Sequence, residues 1–466
     1  MTISSNIILL TDSYKFSHAR QYPEGTTEVY SYFESRGGEF SEVTFFGLQY
    51  IIKQYLEKPI TQEDIEEGAL FAKLHFGTDD HFNRAGWEYI LKVHNGNLPI
   101  SIRAVPEGVS LNPKNVMMTV VNTDPKCFWL TNYLETLLSQ VWYPSTVASL
   151  SRQQKKFIKA ALEKSADNTE GLAFKLHDFS YRGVSSQESS ALGGAAHLVN
   201  FMGTDTVSSL ILLRNYYSCE MAGFSIPASE HSTICCYGKD GELKAFENML
   251  DKYPTGLVAC VSDSFNIYKA CEQYWGTDLK DKILTRDGTL VIRPDSGRPE
   301  EVLPKILNIL YEKLGGTINS KGYKLLPPQV RVIQGDGIDM NSLPGILEAI
   351  MNAGFSVDNV GFGSGGGLAQ KVNRDTCKFA FKCSNIMVDG ESREVYKQPI
   401  DDPGKNSKKG KMKLVLDYTW TDKDILPRYI TVEASDLRKD ELVEVYRNGR
   451  SLVDETFDQV RERAKL

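Results

Sequence analysis

The residues with the clearest chemical potential lie at 360–371, Val-Gly-Phe-Gly-Ser-Gly-Gly-Gly-Leu-Ala-Gln-Lys, where four of the five positions 363–367 are glycine. A short apolar run, then the glycines, then a helix-like segment predicts strand, loop and helix N-terminus. Glycine permits positive φ and lets backbone N–H groups approach a ligand, and a helix N-terminus favours negative charge. The stretch is therefore either a phosphate cradle or an ordinary flexible turn. Other chemistry-bearing residues follow short apolar runs at 174–176, 256–261, 290–292 and 330–333. They are His177-Asp178, Ser262-Asp263-Ser264, Arg293-Pro294-Asp295-Ser296-Gly297 and Gln334-Gly335-Asp336-Gly337. Any one of these loops is ordinary turn and N-cap chemistry, but five in succession point to a shared site.

The elements that must position these loops are legible from their rhythm. The apolar runs recur roughly every thirty residues, which suits βα units, and 378–381 has the look of a further strand after 360–362. A parallel barrel would bring the C-terminal ends of the strands to one face; an open doubly wound sheet would bring them to one edge. Before this region, 29–34 and 100–105 alternate like half-buried strands, and 47–55 and 64–75 have helical periodicity. Residues 128–142 form a strongly apolar helical stretch, followed by an amphipathic helix at 151–165. At the C-terminal end, 401–410 is a polar, basic loop, 412–417 and 442–446 read as strands, and 457–464 reads as a helix. The expected organisation is a mixed α+β domain made of 1–150 with 385–466, and an α/β barrel-like catalytic domain at 151–384.

Composition limits the partners. The chain of 466 residues is 41% hydrophobic and 24% charged, enough for large cores in an ordinary globular protein. A net charge of -7 provides no general basic field for nucleic acid, so anions would be bound by local clusters. No apolar run is long enough to span a membrane and the N-terminus has no signal-peptide pattern, so a cytoplasmic protein is expected. The eight cysteines include no Cys-x-x-Cys pair, which supports neither a disulfide framework nor a zinc site.

Several motifs together carry a resemblance. Thr11-Asp12-Ser13-Tyr14-Lys15, Tyr181-Arg182-Gly183-Val184-Ser185-Ser186-Gln187-Glu188, Gly203-Thr204-Asp205-Thr206 and Glu230-His231-Ser232-Thr233 occur in order. Ile292-Arg293-Pro294-Asp295-Ser296-Gly297, Ile333-Gln334-Gly335-Asp336-Gly337 and the glycine loop follow. Over essentially its whole length the chain resembles the nicotinamide phosphoribosyltransferases, a family of type II phosphoribosyltransferases. The resemblance implies an incomplete α/β (TIM-like) barrel with a second mixed α+β domain. It implies transfer of phosphoribose from phosphoribosyl pyrophosphate to nicotinamide, giving nicotinamide mononucleotide and pyrophosphate in NAD salvage. It further implies Mg2+, ATP as co-substrate acting through a phosphohistidine, and a homodimer with each active site at the subunit interface.

The resemblance also assigns roles by position. His231 would be the phosphorylated residue, its second ring nitrogen held by Glu230 or another nearby carboxylate. Phe179, and Tyr14 from the partner subunit, would sandwich the pyridine ring, and Asp205 would accept from the carboxamide. Arg293 would lie near base and ribose, and Asp295 would hold ribose hydroxyls and the metal. Gly335 and Asp336 fall on the ribose side, Gly365 and Gly366 at the ribose phosphate, and Ser225 and Ser262 among the substrate-binding positions. Arg182, Arg374, Lys382 and, across the dimer, Arg36 and Lys397 would hold phosphate and pyrophosphate. The chain departs from the family's pattern at Ser180, Ala380 and Asn266, which stand in place of a glycine, a hydroxyl and an aspartate. The rival readings are a nicotinate phosphoribosyltransferase, which the charge of Asp205 opposes, and a non-catalytic dimeric binding protein.

Overall fold

The computed structural model describes residues 5–401, 406–420 and 425–466, so four residues of the basic loop expected at 401–410 lie outside the described residues. The chain forms two compact units. One comprises Met1–Ser149, Asn215–Ser218 and Asn373–Lys465; the other comprises Leu150–Arg214 and Cys219–Val372.

The first unit is built on a seven-stranded antiparallel sheet. Its order is Glu391–Glu394, Phe379–Val388, Thr26–Ser35, Val116–Asn122, Ile100–Ala104, Val443–Arg447 and Arg450–Ser451. Thr26–Ser35 is an inner strand and seven of its residues in a row are buried, so both of its faces are covered rather than one. Helix Gln62–Phe76 starts at Thr61, whose hydroxyl accepts from the Asp64 N–H while the Asp64 carboxylate accepts from the Thr61 N–H. It stops at Gly77, where φ of 77° gives the left-handed C-terminal turn. The single helix expected at 128–142 is instead two short ones, Leu130–Tyr133 and Glu135–Ser139. Leu130, Tyr133, Leu134, Leu137 and Leu138 are all buried, and a segment apolar on every side carries no stripe that fixes one straight axis. The next helix runs from Trp142 to Ser165, so it begins before position 151.

The second unit holds a six-stranded, wholly parallel sheet. The order is Gly203–Thr204, Leu176–Asp178, Val360–Ser364, Val330–Gln334, Asp287–Arg293 and Thr255–Val261. Both edges of this sheet bridge to the same short segment: Gly203 pairs with Phe224 and Ala259 with Ala228. Helices Pro299–Leu314 and Ser342–Asn352 cover the sheet with amphipathic faces, burying Leu303, Ile306, Leu307 and Leu310 from the first and Leu343, Ile346, Leu347 and Ile350 from the second.

The run at 378–381 does not continue the parallel sheet. It begins strand Phe379–Val388, which pairs antiparallel with Thr26–Ser35 in the first unit. A buried strand has the same apolar signature in either kind of sheet, so only its partner distinguishes the two. An expected boundary between 384 and 385 would cut this strand; the division of the chain falls between 372 and 373.

Candidate active site

The polar loops do converge in the parallel unit. A cleft of about 580 Å³ is lined by His177, Phe179, Asp205, Phe224, Ser225 and Arg293, among others. Parallel pairing fixes the arrangement, because Phe179, Asp205 and Arg293 all lie at or just past the C-terminal ends of their strands. The Phe179 N–H donates to the Ser364 carbonyl (3.0 Å) and the Asp205 N–H to the Asp178 carbonyl (3.0 Å), so the backbone on which both side chains stand is tied down.

Asp205 accepts from the Ser225 hydroxyl and bonds His177 Nε2 at 2.9 Å. Burial pushes its carboxyl up, but the bonds from His177 and Ser225 and the charges of His177 and Arg293 outweigh this and hold it below the usual carboxylate value. It is thus a carboxylate at neutral pH, able to accept the N–H of a neutral amide and to repel an anion. The Arg293 guanidinium lies 5.8 Å from the Phe179 ring centroid. It donates through Nε (3.2 Å) and Nη2 (3.1 Å) to Oδ1 of Asp295. Gly335 packs onto the same trio: a Cβ there would lie 3.3 Å from Asp295 Oδ1, 3.4 Å from Arg293 Nε and 3.5 Å from Phe179 Cε2. Asp336 beside it is exposed.

His231 opens the short helix His231–Cys235 and is exposed. Its Nε2 bonds Asp263 Oδ1 at 3.0 Å, while the Ser296 hydroxyl donates to Oδ2 of the same carboxylate. Burial pushes the Asp263 carboxyl up, yet the bonds from Ser296 and His231 leave it below its ordinary value. The carboxylate that fixes the imidazole is therefore Asp263. Glu230 instead accepts from the Ser232 hydroxyl at the start of the helix. Asp263 and Ser296 lay in the polar loops of the sequence, but nothing in their spacing paired them with His231. The same is true of His177 with Asp205.

The glycine loop forms strand Val360–Ser364 and then one helical turn, Gly366–Ala369. The helix-like segment is thus shorter than its sequence suggests, because Gln370 and Lys371 close the turn with bonds to the Gly366 carbonyl. A Cβ on Gly183 would meet Gly366 N at 3.2 Å, so the Tyr181-Arg182-Gly183 turn lies against Gly365 and Gly366, with Arg182 exposed. Ser262 is fully buried: its hydroxyl donates to the Cys260 carbonyl and accepts from Trp275 Nε1, so it supports the floor of the unit.

The departures have local explanations in part. Asn266 caps the next helical turn by accepting the Lys269 N–H at 3.0 Å. Ser180 is buried with its N–H on Asp178 Oδ1, and its hydroxyl has no partner among the described residues. Ala380 is a buried strand residue of the first unit.

The remaining cations belong to the first unit. Arg36, Arg374 and Lys382 line one small cavity with Glu135 as the carboxylate among them. Burial lowers the Lys382 ammonium's pKa, and although Glu135 raises it, the charges of Arg36, Lys397 and Arg374 lower it further. Arg36 Nη1 is buried without a partner among the described residues, and such a concentration of positive charge suits an anion. Tyr14, also in this unit, is 56% exposed, with its ring edge-on to His18.

The chain is similar to known proteins in both fold and sequence. The crystal structure of nicotinate-nucleotide pyrophosphorylase from Pyrococcus furiosus aligns with all of this chain and 96% of its own, at a TM-score of 0.62 and 14% identity. That likeness defines the class of fold, a mixed α/β protein with a parallel half-barrel sheet and further antiparallel sheets. The sequence is more specific. A family model described as the nicotinate phosphoribosyltransferase (NAPRTase) family matches residues 174–450, and one for the nicotinamide phosphoribosyltransferase N-terminal domain matches 6–102. A nicotinamide phosphoribosyltransferase of Xanthomonas campestris pv. campestris (strain 8004) is 50% identical, covering 98% of each chain. One of Acinetobacter baylyi (strain ATCC 33305 / BD413 / ADP1) is 31% identical over 99% of this chain and 98% of its own. The chain belongs to the nicotinate and nicotinamide phosphoribosyltransferase family.

Proposed function

We propose that the protein transfers the phosphoribosyl group of phosphoribosyl pyrophosphate to nicotinamide, forming nicotinamide mononucleotide and pyrophosphate. The observation that carries this reading is Asp205, held ionised at the strand ends beside Phe179 and Arg293. Its carboxylate accepts the carboxamide N–H and disfavours the carboxylate of nicotinate. The Phe179 ring, with Tyr14 of a second subunit, stacks on the pyridine. Gly335 and Asp336 fall on the ribose side, Gly365 and Gly366 receive the ribose phosphate, and Arg182, Arg374, Lys382 and, from a second subunit, Arg36 and Lys397 hold phosphate and pyrophosphate. The parallel sheet is read as an incomplete barrel.

Magnesium fits the donor set. Arg293 engages only one oxygen of Asp295, and hard carboxylate oxygens suit this ion, so Asp295 would hold it. Bound there, the ion would neutralise charge on the leaving pyrophosphate. His231, oriented by Asp263, presents its other ring nitrogen as the acceptor of the ATP phosphate.

The charge of Arg293 would favour nicotinate as the acceptor. Product formation measured with nicotinamide, with nicotinate and with neither decides between them: preference for nicotinate would overturn the reading. Sharing of sites in a dimer is tested by mixing Tyr14→Ala with Asp295→Ala subunits, where activity in the mixture supports it and continued inactivity refutes it.

A further inference from the structure

A different cluster, wholly within the antiparallel unit, brings the end of one helix against a short turn later in the chain. His94, Asp124 and Cys127 offer ligand atoms that all lie within 4.8 Å of one another. They meet because His94 is the C-cap of helix Arg84–Val93, while Asp124 is the N-cap of the 3-10 turn Pro125–Cys127. His94 Nε2 lies 2.8 Å from Asp124 Oδ2, which also accepts from the Tyr89 hydroxyl at 3.0 Å. The Lys126 N–H holds Asp124 Oδ1 at 2.8 Å. Cys127 is fully buried, whereas the side chains of His94 and Asp124 keep 22% and 16% of their exposure. The cluster therefore has nitrogen, oxygen and sulfur donors, a buried back and a side open to water.

We propose that His94, Asp124 and Cys127 bind one borderline-soft divalent cation of the zinc class, with water from the exposed side completing four-coordination. Imidazole, carboxylate and thiolate are the three donor types such an ion takes, whereas magnesium asks for oxygens alone. Bonds of about 2.0–2.3 Å place tetrahedral ligands about 3.3–3.8 Å apart. The imidazole and carboxylate must part slightly and the widest pair close by about 1 Å, shifts that side-chain rotation can supply. The imidazole binds in its neutral form, its proton residing on the other ring nitrogen. The Cys127 thiol gives its proton to solvent as the sulfur–metal bond forms, so one proton leaves per ion bound. No oxidation state changes.

The test uses full-length, metal-free protein in which the exposed Cys235 and Cys236 are changed to serine, removing competing thiols. Titration with Co2+ should raise a near-ultraviolet sulfur-to-cobalt charge-transfer band that saturates at one ion per chain and that Zn2+ then erases. Zn2+ should raise the melting temperature. His94→Asn should weaken binding by at least about tenfold. Cys127→Ser should abolish the band, and if that buried change prevents folding, the partly exposed His94→Asn decides the matter. Absence of a saturable site, cobalt bound without the band, or His94→Asn binding as tightly as its parent would each overturn the proposal.

Discussion

Gly363→Ala is the sharpest test of the acceptor site, because its effect can be worked out from one contact. A Cβ at Gly363 would lie 2.1 Å from Cε2 and 2.3 Å from Cδ2 of Phe179. Ordinary contact begins near 3.4 Å, so the ring must retreat by about 1.3 Å. The Phe179 backbone cannot follow, since its N–H is bonded to the Ser364 carbonyl at 3.0 Å on the next strand. The ring therefore turns away from the position at which the pyridine is expected to stack. A misplacement near 1 Å typically costs about a hundredfold in rate, or about 2.7 kcal/mol of transition-state stabilisation. The expected result is a kcat/KM for nicotinamide lower by about that factor. Saturation with phosphoribosyl pyrophosphate should be little changed. Global stability should suffer less than the site does, because Gly363 has no positive φ and alanine is compatible with an extended strand. The assay is mononucleotide formation across a nicotinamide titration, with a thermal melt on the same sample. A kcat/KM within about twofold of the parent would refute the placement of Phe179 against the acceptor.

Three further outcomes are expected. Asp205→Asn should cost nicotinamide about 2 kcal/mol, roughly thirtyfold in kcat/KM, and improve nicotinate; an unchanged acceptor ratio would remove Asp205 from recognition. His231→Ala should eliminate ATP hydrolysis while slow transfer without ATP persists, and Asp263→Asn should weaken the ATP-stimulated rate by mispositioning the imidazole; ATP stimulation surviving in His231→Ala would place the phosphate acceptor elsewhere. In the antiparallel unit, burial and the Glu107 carboxyl push Glu455 up from 4.5 to about 7 despite Arg463. Its folded pKa exceeds its unfolded one, so the stabilisation is complete below about 4.5 and lost as pH rises towards about 7. Glu455→Gln should flatten the melting temperature across that window, and an unaltered pH slope would contradict the assignment.

Most of the parallel strands and their loops were readable because each carries its own signal: a short apolar run followed by Asp, Ser or Gly. The position of Arg293 at a strand's C-terminal end followed from those runs, whereas Asp205, which follows the two-residue strand Gly203–Thr204, received its role from resemblance. The bond from Asp263 to His231 was not readable, since it joins residues on different loops and depends on three-dimensional register. The same limit explains why 378–381 looked like another parallel strand, and why the apolar stretch near 128–142 looked like one helix. Periodicity records burial; it does not record the partner that does the burying. Tyr14, Arg36 and Lys397 received their roles from resemblance, and no property of their immediate neighbours would have supplied them.

The segment that joins both edges of the parallel sheet has a mechanical consequence. Phe224 and Ala228 make the two bridges, Ser225 between them bonds Asp205, and Glu230 and His231 follow almost at once. Only Ser229 and Glu230 lie between Ala228 and His231, so the three steps form a tether of at most about 10 Å. The seam of the sheet, the Ser225–Asp205 contact and the imidazole proposed to accept phosphate are thus successive points on one short strap. A pull on the imidazole by a newly attached phosphate would reach the Ser225–Asp205 contact through covalent bonds, with no domain movement required to carry the signal.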